Sequence, residues 1–351
     1  MLLVDIEKNT GQFHLKSSFT TGEGPLALLG ASGCGKSMTL KCIAGVEKPD
    51  RGMIKLGEKV LFDSEKRICL PARKRRVGYL FQNYALFPNM TVRDNILCAA
   101  KEREYADSLI ERFGLENVAA QRPAELSGGQ SQRTALARML AARPEAILLD
   151  EPFSALDNHM RSRMEHEILD ILEEFEGPVV LVTHDRNEAF RLAEKIAVMQ
   201  EGTVVETAEK KAFFDHPETV AAARLTGCKN ITALEKKGSG IYARDWGIDI
   251  ALDRRMPEGI THAGYRAHYF TYTEDKIQEN VFTCRCVRVI EDVFSTAVCF
   301  RQKGNENDSP DSVLTWMVDN DKWNGIKDRV MSGEFMLKLD PGRMMLLKDA
   351  R

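Results

Sequence analysis

The segment Gly30 to Ser37, GASGCGKS, constrains this chain more than any other stretch. It completes the pattern GxxxxGK[ST], follows the apolar run Pro25 to Leu29 (PLALL), and precedes the helix formers Lys36 to Ala44 (KSMTLKCIA), which Gly45 stops. Four fixed positions match by chance in about 1% of chains of this length. The strand, loop and helix flanks make coincidence rarer still. Glycines let consecutive backbone N–H groups turn inward around phosphate oxygens, and the N-terminus of the next helix adds its positive dipole. Lys36 would then reach the outer phosphates of a nucleotide, and the Ser37 hydroxyl would coordinate Mg²⁺.

Two further apolar runs repeat the arrangement. Ala146 to Leu149 ends in Asp150-Glu151-Pro152, and Val179 to Val182 ends in Thr183-His184-Asp185. Helical periodicity at Ser131 to Ala142 and Met160 to Phe175 lies between the runs, so the fold class expected is α/β, a mostly parallel sheet with helices on both faces. Ligands of such sheets bind beyond the carboxyl ends of the strands. From about Asn83 to Arg143 the chain shows helical periodicity and no convincing strand, which reads as a helical insert. At about 150 residues per domain, 351 residues suggest two domains. The texture changes after Leu225-Thr226-Gly227, where short β-rich runs such as Val281 to Ile290 and Ser295 to Arg301 replace helices. The expected division is therefore 1–228 for the α/β domain, with its helical insert at 83–143, and 229–351 for a small, barrel-like β domain.

Composition excludes several classes. Lys and Arg total 49 against 52 Asp and Glu, so no global basic field exists to coat nucleic acid. The cationic run Arg73-Lys74-Arg75-Arg76 lacks interleaved aromatics and reads as a solvated surface turn. No run approaches the roughly 18 apolar residues of a membrane span, and MLLVDIEKNTG is unlike a secretory signal. The eight scattered cysteines read as reduced cytosolic thiols, with Cys284 and Cys286 as half-buried strand residues rather than metal ligands.

Beside a phosphate loop, the strand-end pair Asp150-Glu151 takes on a chemical meaning: Asp150 can hold Mg²⁺ through water, and Glu151 can polarise an attacking water. His184, at another strand end, could hydrogen-bond the γ-phosphate or that water. Leu126 to Gln130 reads LSGGQ, in which Ser127 is a suitable N-cap and two glycines leave N–H groups exposed. This second anion-binding helix end makes sense if it closes over nucleotide held by another copy of the chain. Cys34 sits inside the first loop, where a thiol is open to alkylation unless it points away from the phosphates.

The order of these elements resembles the ABC ATPases over about residues 1–228: the phosphate loop, Gln82 after the strand RVGYLFQ, LSGGQ, ILLDEP, the turn Ser154-Ala155-Leu156-Asp157, and His184. The resemblance implies a P-loop ABC ATPase fold whose cofactors are ATP and Mg²⁺. It implies that Gly30, Ala31, Ser32, Gly33, Cys34, Gly35, Lys36, Ser37 and Met38 line ATP, with Met38 standing where a hydroxyl residue is usual. Phe13 is the candidate to stack on adenine and is equally suited to the core. Ser37, Gln82 and Asp150 are the Mg²⁺ candidates, with Gln82 sensing the γ-phosphate; Glu151, His184 and Gln82 are the catalytic ones. Ser127, Gly128, Gly129, Gln130 and Asp157 would act on the ATP of a partner copy in a homodimer. Tyr84, Leu86 and Phe87 could face the core, but the resemblance implies that membrane permease subunits are met near Asn83, Tyr84, Leu86 and Phe87. That would place the chain peripherally on the cytoplasmic face of the membrane, with an extracytoplasmic solute-binding protein engaged indirectly and no nucleic acid. The resemblance implies the ATP-hydrolysing subunit of an importer. Ile68 to Pro88 looks most like the ATPase subunits of molybdate importers, with ferric iron, polyamine or sugar as the alternative cargoes. A soluble ABC-type ATPase acting on nucleic acid or ribosomes is the reading from another class. The segment led by Thr226 to Asn230 resembles the small oligonucleotide-barrel-like (OB/TOBE-like) regulatory domains that follow such cassettes.

Overall fold

The computed structural model describes residues 1–22, 24–154, 158–238, 240–252, 256–305, 307 and 309–349, without the side chains of residues 158 and 159. Two compact units divide the chain, Met1–Lys210 and Lys211–Arg351.

The first unit is built on one eleven-stranded sheet. Its strands are β1 (Leu2–Thr10), β2 (Phe13–Thr20), β3 (Leu26–Leu29), β4 (Arg51–Leu56), β5 (Lys59–Asp63), β6 (Ile68–Cys69), β7 (Val77–Leu80), β8 (Ala146–Asp150), β9 (Val179–Thr183), β10 (Lys195–Gln200) and β11 (Thr203–Glu209), in the order β6-β5-β4-β1-β2-β11-β10-β3-β9-β8-β7. The run β10-β3-β9-β8-β7 is parallel throughout. The other side is antiparallel: β1 pairs with β2 and β4, β4 with β5, and β5 with β6. The mostly parallel sheet expected from sequence therefore covers only half of what forms. The alternation of buried Leu2, Val4 and Ile6 with outward residues along β1 is the period-two pattern of an antiparallel strand with one covered face.

The helices are α1 (Lys36–Ala44), α2 (Ala72–Arg75), α3 (Val92–Leu97), α4 (Arg103–Arg112), α5 (Gly128–Ala141), α6 (Asn158–Glu174) and α7 (Arg186–Leu192). Alternate residues of β8 feed two separate cores. Ala146 and Leu148 pack with Leu40 and Ile43 of α1, whereas Ile147 and Leu149 pack with residues of α3 to α6. Helices thus cover both faces of the parallel half. Between β7 and β8 the described residues form helices and no strand.

In the second unit, one five-stranded sheet runs Ile248–Ile250, Gly240–Ala243, Asn230–Lys237, His262–Tyr265, Met345–Leu347, and another runs Thr271–Thr273, Glu334–Lys338, Val281–Glu291, Ser295–Gln302, Leu314–Asp319. Both are antiparallel and share a core that includes Trp246, Phe270, Phe300, Trp316 and Trp323. The helix Asn320–Met331, which periodicity did not signal, sets Trp323 and Val330 into that core. Cys284 is fully buried rather than half-buried, and Cys286 is partly exposed. Among the described residues no helix is long and apolar enough to cross a membrane.

Candidate active site

Four adjacent parallel strands, β3, β9, β8 and β7, end on the same edge of the sheet, and each delivers one part of the site. The loop after β3 carries Gly30 to Gly35 into α1. Gly35 has φ 107°, a left-handed conformation that side chains resist. A Cβ there would stand 2.8 Å from Leu15 Cδ1 and 3.1 Å from Phe13 Cζ. Phe13 therefore lies against the loop itself while also packing on the core under it. Ala31, Ser32 and Gly33 are exposed, and Met38 packs on the same core. Lys36 is only 4% exposed; its ammonium donates to the carbonyls of Gly30 and Ala31, both at 2.9 Å. Cys34 points inward, and burial raises its thiol pKa against the opposing effect of nearby Lys36, so it is a poor alkylation target.

Asp150 ends β8. Ser37 Oγ donates to its Oδ1 at 2.7 Å, and the Tyr79 hydroxyl donates to its Oδ2 at 2.8 Å. Burial, and then the Asp150 carboxylate, push the Tyr79 phenol above its ordinary pKa, which keeps it a donor. Tyr79 is a site residue that the sequence reading missed; its signal was strand parity, which turns it toward the α1 face of β7. Glu151 adopts φ 45°, uncommon for a residue with a side chain, and its N–H donates to Val182 O at 3.0 Å. This turn aims the carboxylate away from the strand. Gln82 Nε2 donates to Glu151 Oε2 at 3.1 Å, and His184 Nδ1 stands 3.5 Å from Glu151 Oε1. A cavity of about 730 Å³ opens beside them, bounded by Ser37, Gln82, Asn83, Asp150 and Ser154.

Ser127 to Gln130 lies apart from this line, at the start of α5. Ser127 Oγ accepts from Gln130 N at 3.3 Å, and Gln130 Oε1 accepts from Ser127 N at 2.8 Å, a reciprocal capping box. Ser127 and Gly128 are exposed while Gly129 is buried. The helix begins at Gly128, ahead of the expected Ser131. Asp157 lies outside the described residues.

Two expectations need correction. Tyr84 is 7% exposed and its hydroxyl donates to Gln132 Oε1, so it faces the core and offers nothing to a partner. Phe87, by contrast, is 49% exposed, Asn83 is exposed and Leu86 is partly buried. The segment is anchored from α5, where Arg138 donates to the carbonyls of Tyr84 and Ala85 at 2.8 Å each. Within the cationic run, Arg75 is 1% exposed. Its guanidinium donates to Leu70 O, Cys42 O and Ile43 O, each at 2.8 Å, so it closes the C-terminus of α1 while Arg73, Lys74 and Arg76 stay in solvent.

Comparison with known proteins bears on the family. Residues 15–154 match the family model described as ABC transporter. The putrescine transport ATP-binding protein of Escherichia coli strain K12 is 43% identical over 223 residues, covering 61% of this chain and 58% of that protein. The molybdenum import ATP-binding protein of Paramagnetospirillum magneticum is 37% identical over 223 residues, covering 62% of this chain and 61% of its own length. A spermidine/putrescine import ATP-binding protein of Mycoplasma capricolum is 36% identical over 245 residues, 67% of each chain. The chain thus spans about three fifths of the length of the first two. Among solved structures, a dimeric ATP-binding cassette in a post-hydrolysis state, bound to ADP and Pi, superposes with TM-score 0.52 at 28% identity, covering 60% of this chain and 99% of that one. With the P-loop fold, the capped LSGGQ helix and these relatives together, the chain belongs to the ABC transporter family.

Proposed function

We propose that the chain hydrolyses ATP as the energy-supplying subunit of an importer. Two copies bind two ATP at a shared interface, close, and through closure move separate membrane permease subunits; hydrolysis reopens them. What supports the reading is the convergence of Ser37, Asp150, Gln82, Glu151 and His184 at neighbouring strand ends, with Glu151 held between an amide and an imidazole. The backbone N–H groups of Gly30 to Gly35, the Lys36 ammonium and the α1 dipole bind and orient the phosphates. Glu151 holds the attacking water and accepts its proton, and Gln82 and His184 orient water and γ-phosphate for in-line displacement. The hard oxygens of Ser37 and Asp150, already 2.7 Å apart, fit Mg²⁺, and with Gln82 they would hold it. When bound, the ion supplies charge neutralisation at the phosphate oxygens. Ser127 to Gln130 would face the partner copy's phosphate, joined by Asp157.

On this reading the chain sits peripherally at the cytoplasmic face of the membrane and meets the permease through Asn83, Leu86 and Phe87. Residues from about 229 form an OB/TOBE-like regulatory domain. The cargo is read as molybdate or tungstate, on the pattern of Ile68 to Pro88; a polyamine is the second reading, favoured by the 43% identity to a putrescine transport protein. The purified chain should hydrolyse ATP with Mg²⁺ and stop in excess chelator, and Lys36→Met should bind and cleave ATP poorly. Mg²⁺-dependent turnover undiminished in that variant refutes the site. Uptake of labelled molybdate against labelled putrescine, in cells with and without the chain, decides the cargo.

A further inference from the structure

His184 is 61% exposed at its side chain and touches Glu151 only at 3.5 Å, so what fixes it must lie in the backbone on either side. One hydroxyl spans that backbone. Thr183, the last residue of β9, accepts from Asp185 N at 3.0 Å and donates to Glu188 Oε2 at 2.5 Å. Asp185 in turn caps α7, its Oδ1 accepting from Asn187 N at 2.7 Å and Glu188 N at 3.4 Å. Glu188 is 4% exposed. Its other oxygen stands 3.8 Å from Arg161 Nε, and Arg161 NH1 stands 3.7 Å from Asp185 Oδ2. A second pair on the same two helices, Arg191 with the buried Glu165 at 2.7 Å, continues the seam.

A buried carboxyl is an expensive way to join two helices, since an apolar side chain would pack there without desolvation. Burial raises the Glu188 pKa, with Asp185 and Glu165 adding to the rise and Thr183 and Arg161 opposing it. Helix packing alone does not call for that arrangement; a fixed backbone around His184 does.

Resting on the proposed role of His184, we infer that Thr183 and Glu188, steadied by Arg161 of α6, are positioning residues that set the imidazole over Glu151. They touch no reacting atom. Their effect runs through the conformation of residues 183–185. A displacement of about 1 Å at such a group is worth up to roughly a hundredfold in rate.

The test is a double-mutant cycle on ATP hydrolysis. Thr183→Val keeps the shape and removes the bridging hydroxyl; kcat should fall about tenfold or more, with KM for ATP within about twofold of wild type. Thr183→Ser should restore the rate, and Glu188→Gln, which keeps an acceptor for Thr183 but loses the charge facing Arg161, should fall between. In a His184→Ala background, Thr183→Val should cost nothing further. Additive losses in that background, or a rise in KM with kcat unchanged, would mean a purely structural role and overturn the inference. If His184→Ala is slow while Thr183→Val keeps the wild-type kcat, the inference fails and the reading of His184 stands. Wild-type turnover in His184→Ala overturns both.

Discussion

Arg75→Met tests whether the guanidinium buried beneath the phosphate-loop helix is a structural element or an ordinary surface charge. The side chain closes three carbonyls at 2.8 Å, two of them in the last turn of α1. Gly45, which ends that helix at φ 79°, leaves space for it: a Cβ at Gly45 would stand 2.5 Å from Arg75 Nε. Each buried carbonyl left unpaired costs about 1–3 kcal/mol, and favourable charge at a helix C-terminus adds about 0.3–1 kcal/mol. Cys42 O keeps the Gly45 N–H at 3.3 Å, so at most two carbonyls, of Leu70 and Ile43, lose their partner. With water entering behind the shorter Met side chain, the first unit should lose about 2–4 kcal/mol. The assay uses the distribution of tryptophan: Trp246, Trp316 and Trp323, the three in the chain, all lie in Lys211–Arg351. Fluorescence thus follows the second unit, while far-UV ellipticity also follows α1 to α7. In urea the ellipticity transition that tryptophan does not see should move down by about 1–2 M, with the fluorescence midpoint unchanged. Lys74→Met, on an exposed neighbour, should move neither. A first-unit midpoint within about 0.3 M of wild type in Arg75→Met would refute the capping argument.

Ser127→Arg should leave ATP binding by a single chain intact, because the capping box lies apart from the phosphate loop, and should abolish ATP-driven self-association as measured by sedimentation. Thiol labelling should modify exposed Cys69 readily and Cys34 hardly at all. Because the Cys34 pKa is raised, its labelling rate should climb only above the ordinary thiol range as pH increases, which peptide mass mapping at several pH values reads directly. A chain ending at Lys210, the limit of the first compact unit, should retain Mg²⁺-dependent ATP hydrolysis; an inactive but folded fragment would place an essential group in the second unit.

Local chemistry was legible in the sequence. Lys36–Ala44 forms the helix that its composition and Gly45 foretell, and Ser127 caps α5, because these features depend on neighbours a few residues away. What was missed depends on distant partners. The antiparallel half of the sheet requires β1 to find β4 across α1, and nothing within Leu2–Thr10 names that partner. In the run Arg73 to Arg76, composition does not reveal which cation turns inward; the short helix α2 and the left-handed Arg76 at φ 59° settle it by folding Arg75 under α1. Tyr84 is concealed for a similar reason, since it and Ala85, at φ 60° and 44°, are held by Arg138 more than fifty positions later in the chain. The spacing Thr183-x-Asp185-x-x-Glu188 did carry a capping signal, and with it a pointer to the groups around His184.

The central claim is that two copies close over two ATP and that Glu151 is the group whose loss stops hydrolysis without stopping closure. Glu151→Gln removes the proton acceptor while keeping a side chain able to hydrogen-bond Gln82 and His184. Sedimentation of this variant with ATP and Mg²⁺, alongside a turnover assay, should show a stable dimer and hydrolysis slowed by about a hundredfold or more, the scale of a lost general base. A variant that turns over ATP at the wild-type rate, or that stays monomeric in saturating ATP, would contradict the account.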